Sequence, residues 1–171
     1  MAGLRKGRCY NTPIGRQRAY TRKSKYKSKG YIRGIPPSKL IKFDQGNLSK
    51  TFEAEVNLIS KQGIQIRNNA LESARQMVHR HVAELLGNNY AFKVRVYPHQ
   101  ILRENKMLSG AGADRMQTGM QRAFGRPVGT AAKVKEGQAI MTIKCELKDK
   151  ESAKKALHTA VARLPGKYYI A

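Results

Sequence analysis

Acidic residues are scarce in this chain: 11 Asp and Glu stand against 34 Lys and Arg over 171 residues, giving a formal charge of +23 and a pI near 10.4. Before Asp44 there is no acid at all, while thirteen Lys or Arg occur there. Like charges at that density oppose compaction, so a polyanion is expected to supply the counter-charge and a steering field. Cysteine is nearly absent. Cys9 and Cys145 are far apart and lack CxxC spacing, which excludes a disulfide framework and reads as a pair of reduced intracellular thiols. No apolar run approaches the ~18 residues that a spanning helix needs, and no signal-peptide apolar stretch follows Met1. Nucleic acid therefore leads a membrane as the expected partner.

Catalytic and metal-binding sets are also missing. His79 and His81 fall two apart on an expected helix, about 200° around its axis, so they cannot grip one metal together. The stretch "GAGADR" has Arg115 where a dinucleotide fingerprint needs its third glycine, and Lys106 precedes the glycines where a phosphate-binding loop needs Lys after them. Ser109 and Ser152 have no adjacent base, and Glu53 with Glu55 reads as an outward pair balancing nearby cations. Catalytic residues, a metal, a cofactor and a small-molecule substrate are accordingly not expected.

Two parts are expected: an extended basic segment over 1–43 and an α+β domain over 44–171 that carries a long loop at 103–120. The first part mixes Gly, Pro and Ser with cations and has no sustained apolar period. Tyr10, Tyr20, Tyr26 and Tyr31 interleave with the cations, a mixture suited to neutralising phosphates and stacking on exposed bases of RNA or DNA. In the second part, "TFEAEVNLIS" alternates with Phe52, Ala54, Val56 and Leu58 on one face, and "KQGIQI" is its expected hairpin partner. Asn69 to Glu72 suggests a capping box for a helix lined by Leu71, Ala74, Val78, Val82 and Leu85 and closed by Gly87. "YAFKVRVYP" points Tyr90, Phe92, Val94 and Val96 inward. "GRPVGTAAKV", the turn "KEGQ" and "AIMTIKCEL" resume the sheet, with Met141, Ile143, Cys145 and Leu147 in the apolar phase. Asp149 is the expected cap of a second helix with the stripe Ala153, Ala156, Leu157, Ala160 and Leu164, and "KYYIA" is an expected edge strand. This gives a mostly antiparallel sheet with two helices on one face.

Between these strands, "RENKMLSGAGADRMQTGM" interrupts the alternation with small and polar residues. Ser109 to Asp114 have little to bury, so a mobile hairpin is expected, projecting roughly 25 Å if extended. Arg103, Lys106, Arg115 and Arg122 are placed to meet phosphates around its base. From composition and motifs three readings stay open: a structural RNA-binding protein, an RNA-modifying or nucleotide-using enzyme with a basic docking tail, and a free regulatory or DNA-binding protein.

"PHQILRENKMLSGAGADRMQTGMQRAFGRPVGTAAKV", from Pro98 to Val134, closely resembles the characteristic region of the archaeal and eukaryotic large-subunit ribosomal protein family called ten-e, counterpart of bacterial protein sixteen. "AYTRKSKYKSKGYIRGIPPSKLIKFDQGN" resembles its basic N-terminal segment and "NNALESARQMVHRHVAELLG" its first helix. The resemblance implies a hammerhead-type α+β fold and a cytoplasmic structural protein of the ribosome that binds large-subunit rRNA and neighbouring ribosomal proteins. It implies rRNA contacts from Arg5, Lys6, Arg8, Arg16, Arg18, Arg22, Lys23, Lys25, Lys27, Lys29 and Arg33, joined by Arg122 and Arg126. It further implies that the loop Arg103, Glu104, Asn105, Lys106, Met107, Leu108, Ser109, Gly110, Ala111, Gly112, Ala113, Asp114 and Arg115 approaches transfer RNA near the peptidyl-transferase region. Bacterial members carry a differently composed loop, so residue roles do not carry over from them one by one. The chain stops at Ala171 without the basic tail of eukaryotic members, from which an archaeal source is expected.

Overall fold

Alternation of apolar and polar side chains builds most of the fold in a computed structural model, which describes residues 34–108, 110–116, 119–122 and 125–171. The element order is β1 (Asp44–Gly46), β2 (Ala54–Ser60), β3 (Ile64–Arg67), α1 (Asn68–Leu86), β4 (Ala91–Val94), β5 (Gln100–Glu104), the one-turn α2 (Ala113–Met116), β6 (Arg126–Val134), β7 (Ala139–Cys145), α3 (Lys150–Val161) and β8 (Tyr168–Ile170). All the strand pairs are antiparallel. Among the described residues they form two sheets rather than one: five strands in the order β1-β4-β7-β2-β8, and three in the order β3-β6-β5.

One face of the larger sheet is covered. Val56 and Leu58 of β2, Phe92 of β4 and Met141, Ile143 and Cys145 of β7 are fully buried there. They pack in one cluster with Leu71, Ala74, Val78 and Val82 of α1 and Ala153, Ala156, Leu157 and Ala160 of α3. The smaller sheet joins this core through Ile64, Ile66, Ala132 and Val134. The start of α1 is tied to it by Asn68, whose Nδ2 donates to Thr130 Oγ1 over 3.0 Å. Leu40 and Phe43, ahead of β1, already belong to the packed body: Leu40 is buried and Phe43 lies against the cluster.

Several local expectations change for definable reasons. "KQGIQI" does not fold back on β2, because β7 and β8 already fill both of that strand's ladders; β3 crosses to the second sheet and pairs with β6. The capping box at Asn69 does not form. The helix starts two residues earlier, with Arg67 at its N-cap, and the Glu72 carboxylate is taken by Arg75 through Nε at 2.8 Å and the terminal nitrogen at 2.6 Å. Arg75 also donates to Gln45 Oε1 at 2.8 Å, linking α1 to β1. Around the helix axis it is Leu86, not Leu85, that completes the buried stripe, and Leu85 faces solvent. Leu147 is likewise exposed, because β7 ends at Cys145 and a 3-10 turn follows. Asp149 precedes α3 without a side-chain capping bond. Gly87 closes α1 with φ of 58°, and its N–H bonds to the Ala83 carbonyl.

Candidate nucleic-acid interface

Strand alternation that buries Phe92, Ile143 and Val56 turns their neighbours to the other face of the larger sheet, which is open among the described residues. Lys93, Lys144 and Glu55 stand there, with Arg95 exposed just after β4. The register sets Asp44 opposite Lys93, Lys93 opposite Thr142, and Thr142 opposite Asn57, giving a polar row across four strands. Thr142 Oγ1 donates to Asn57 Oδ1 at 2.5 Å. A cleft of about 460 Å³ on this face is lined by Lys50, Thr51, Lys93, Arg95 and Lys144, and by one acid, Asp44.

The pairing of these cations is loose. Lys93 Nζ is 3.2 Å from Asp44 and Lys144 Nζ is 4.0 Å from Glu55, both pairs well exposed, so each is worth less than about 1 kcal/mol. Arg95 makes no ion pair or side-chain hydrogen bond among the described residues. Lys50 is held more closely, 2.7 Å from Glu146, whose other oxygen lies 2.9 Å from Lys148. Hydrogen bonds from the two ammonium groups bring the Glu146 carboxyl down to about 2. The open face can therefore exchange weak internal pairs for phosphate contacts with little loss of folding energy.

The long connection between β5 and β6 is a hairpin whose neck is narrow. Glu104 pairs with Arg126 and Arg103 with Pro127, after a register shift at Leu102/Arg103. Gly125 sits at φ of 75°, and a Cβ there would lie 2.5 Å from the Glu104 carbonyl carbon, so only glycine fits. Arg103 and Glu104 thus belong to β5 and not to the loop proper. The Arg103 guanidinium donates to the Gly125 carbonyl at 3.2 Å and is half-buried, its pKa brought down by desolvation. Asn105 Nδ2 reaches across to the Gly119 carbonyl at 3.3 Å. Arg103 and Asn105 close the neck.

Beyond the neck the described residues include two short turns: α2, and a 3-10 turn at Gly119–Arg122. Ala113 N–H bonds to the Gly110 carbonyl and Arg115 N–H to Gly112. Lys106, Gly110, Ala111, Gly112 and Arg115 are exposed. So are Met107, Leu108 and Met120, at 58%, 54% and 58% of their surfaces, an exposed apolar content of the hairpin that the emphasis on small residues did not bring out. The contiguous "ML" in a segment without alternation was the available signal. Ser109 lies outside the described residues, as does the whole of 1–33 with its eleven candidate cations; for Asp114 and Arg122 only the backbone placement is described. Arg126 is exposed at the neck.

Other candidates read from the sequence take structural places. Cys145 is fully buried, and desolvation pushes its thiol up. His79 Nδ1 is 2.9 Å from the Tyr90 hydroxyl, and burial, followed by the charges of Arg75 and Lys42, lowers its pKa. His81 instead approaches Glu84, at 3.8 Å. No group of three or more His, Cys, Asp or Glu among the described residues is arranged to hold a metal, and no helix there is long and apolar enough to cross a membrane.

Comparison with known proteins agrees with the resemblance. The family described as Ribosomal protein L16p/L10e matches residues 16–171. "Large ribosomal subunit protein uL16" of Methanococcus maripaludis strain C7 is 48% identical over 163 residues, covering 95% of this chain and 90% of that protein. The protein of the same name from Staphylothermus marinus is 44% identical over 163 residues, with 95% and 89% covered. That of Hyperthermus butylicus is 48% identical over 141 residues, with 82% and 78% covered. Matched across nearly its full length, the chain belongs to the Ribosomal protein L16p/L10e family.

Proposed function

We propose that this chain is a structural, non-enzymatic constituent of the large ribosomal subunit that binds its rRNA in the cytoplasm alongside neighbouring ribosomal proteins. The observation that carries it is the family match over residues 16–171, and the excess of cations supplies the physical reason. The basic segment ahead of Leu40 is an extended arm on rRNA, and the packed domain that follows, of hammerhead type, sets its open sheet face with Lys93, Arg95 and Lys144 against rRNA phosphates. Arg122 and Arg126 add contacts at the base of the hairpin.

The hairpin 103–115 is a mobile element that approaches transfer RNA. Lys106 and Arg115 contact backbone phosphates, and the small Gly110, Ala111 and Gly112 permit close approach where bulky side chains would clash. Arg103 serves this role indirectly, by holding the neck through Gly125. Peptide bond formation belongs to the RNA; the protein contributes positioning and charge.

Sedimentation of a native lysate under magnesium conditions that keep subunits intact tests this. Near-stoichiometric recovery with the large subunit after a moderate-salt wash is expected. Recovery mainly at the top of the gradient would overturn it.

A further inference from the structure

The hairpin between β5 and β6 presents two methionines to solvent. Met107 and Met120 are each 58% exposed, whereas Met141 on β7 is fully buried and Met77 on α1 is half-buried. A thioether gives up two electrons to a peroxide, and it does so more readily the further its sulfur is exposed. At Met141 the added oxygen would enter the packed cluster of the two helices and the larger sheet. At Met120 it would meet solvent instead.

Met120 is distinguished by what its sulfur meets. Asn105 Nδ2, which donates across the neck to the Gly119 carbonyl at 3.3 Å, also lies 3.8 Å from Met120 Sδ. One side-chain amide therefore faces two acceptors on the opposite arm of the hairpin. Both contacts are weak, because the first is long and thioether sulfur is a poor acceptor. A sulfoxide oxygen is a polar acceptor of a different order. The Met120 side chain is exposed and its terminal torsion is free to turn among staggered positions. An oxygen added on the solvent side of the sulfur can thus swing onto one N–H of Asn105 while the other stays on Gly119.

We propose that Met120 is an oxidation site whose sulfoxide locks the neck of the hairpin through Asn105. The co-reactant is a hydroperoxide. The Met120 sulfur attacks its terminal oxygen, so that an S–O bond forms and the O–O bond breaks. The proton of the transferred hydroxyl passes to the departing oxygen, which leaves as water or an alcohol. Sulfur is oxidised by two electrons and the peroxide is reduced by two. Methionine sulfoxide reductases reverse the change, one enzyme for each sulfoxide epimer. The lock makes the freedom of the hairpin depend on peroxide, and it is independent of RNA binding because Asn105, Gly119 and Met120 all belong to this chain.

The full-length chain is treated with dilute hydrogen peroxide in the absence of RNA, and sulfoxide at each methionine is timed by peptide mass spectrometry. Met120 should oxidise faster than Met77, and Met141, reached only through opening of the core, should lag Met120 by at least about a hundredfold. A background of Cys9→Ser, Met107→Leu and Met116→Leu leaves Met120 as the hairpin's one methionine. There, oxidation should slow amide hydrogen exchange at 104–106 and Gly119–Arg122 by about fivefold, the effect of one net hydrogen bond. Sulfoxide reductases should restore the original rate. Met120→Gln, which offers a carbonyl oxygen at similar reach, should slow exchange without peroxide. Asn105→Ala should take up oxygen at Met120 as before and show no slowing. Oxidation of Met120 no faster than of Met77 would overturn the site. No slowing on oxidation, or the same slowing in Asn105→Ala, would overturn the lock.

Discussion

Replacing Lys93, Arg95 and Lys144 together by Gln removes three cations from the open sheet face while keeping the side chains long and polar. Folding should barely change. The internal partners are Asp44 at 3.2 Å and Glu55 at 4.0 Å in exposed pairs, and Arg95 has none among the described residues. The two lost pairs together amount to under about 2 kcal/mol, so Tm should move by less than about 8 °C. RNA binding should change far more. Three phosphate contacts at about 0.7–0.9 each lower the slope of log K against log salt by about 2.1–2.7, so raising salt from about 50 to 200 mM would cost the variant about 20- to 40-fold less affinity than the parent. Fluorescence anisotropy with large-subunit rRNA across that salt range measures it. The matched control is Lys150, Lys154 and Lys155 to Gln on α3, a helix that packs on the opposite face of the sheet. Equal slope changes from the two triple variants would mean that net charge and not a particular face drives binding; no change from the sheet variant would remove the open face from the interface.

Three further outcomes follow from individual contacts. Arg75→Ala strips the bidentate partner from Glu72 and the donor from Gln45, and should lower stability by about 2–3 kcal/mol in urea unfolding. His79 is held below its ordinary 6.5 in the fold; the unfolded chain then binds more protons, so this part of the stability is full above about pH 6.5 and is lost as pH falls towards the folded value. Replacing His79 by Phe should flatten the stability profile in that interval, and an unchanged profile would reassign the titration. Gly125→Ala should destabilise by at least about 1 kcal/mol from its positive φ alone, with more from the clash at Glu104, while Gly129→Ala, which has open space and no positive φ, should stay within about 0.5 kcal/mol.

Local sequence carried the elements well where one face of a strand or helix is buried. Phe92 and Val94, Ala54 and Val56, and the α3 stripe all announce themselves by period, because burial on one face imposes it. Pairing was another matter. "IQI" has the same alternation whether it meets β2 or β6, and only the distant return of β7 and β8 to β2 decides. The capping box failed because Glu72 had a better partner three residues on, in Arg75. Within the hairpin, sequence located the small residues, but not that Arg103 would turn inward to the Gly125 carbonyl or that Met107, Leu108 and Met120 would all be exposed.

An electron cryo-microscopy reconstruction of the large subunit containing this chain would test most directly whether the charged sheet face is its RNA-binding surface. The expected result is rRNA phosphate within hydrogen-bonding reach of Lys93, Arg95 and Lys144, with the exposed side of α3 turned away from RNA. Finding that sheet face solvated while Lys150, Lys154 and Lys155 meet the RNA, or finding no density for the chain in the subunit, would contradict it.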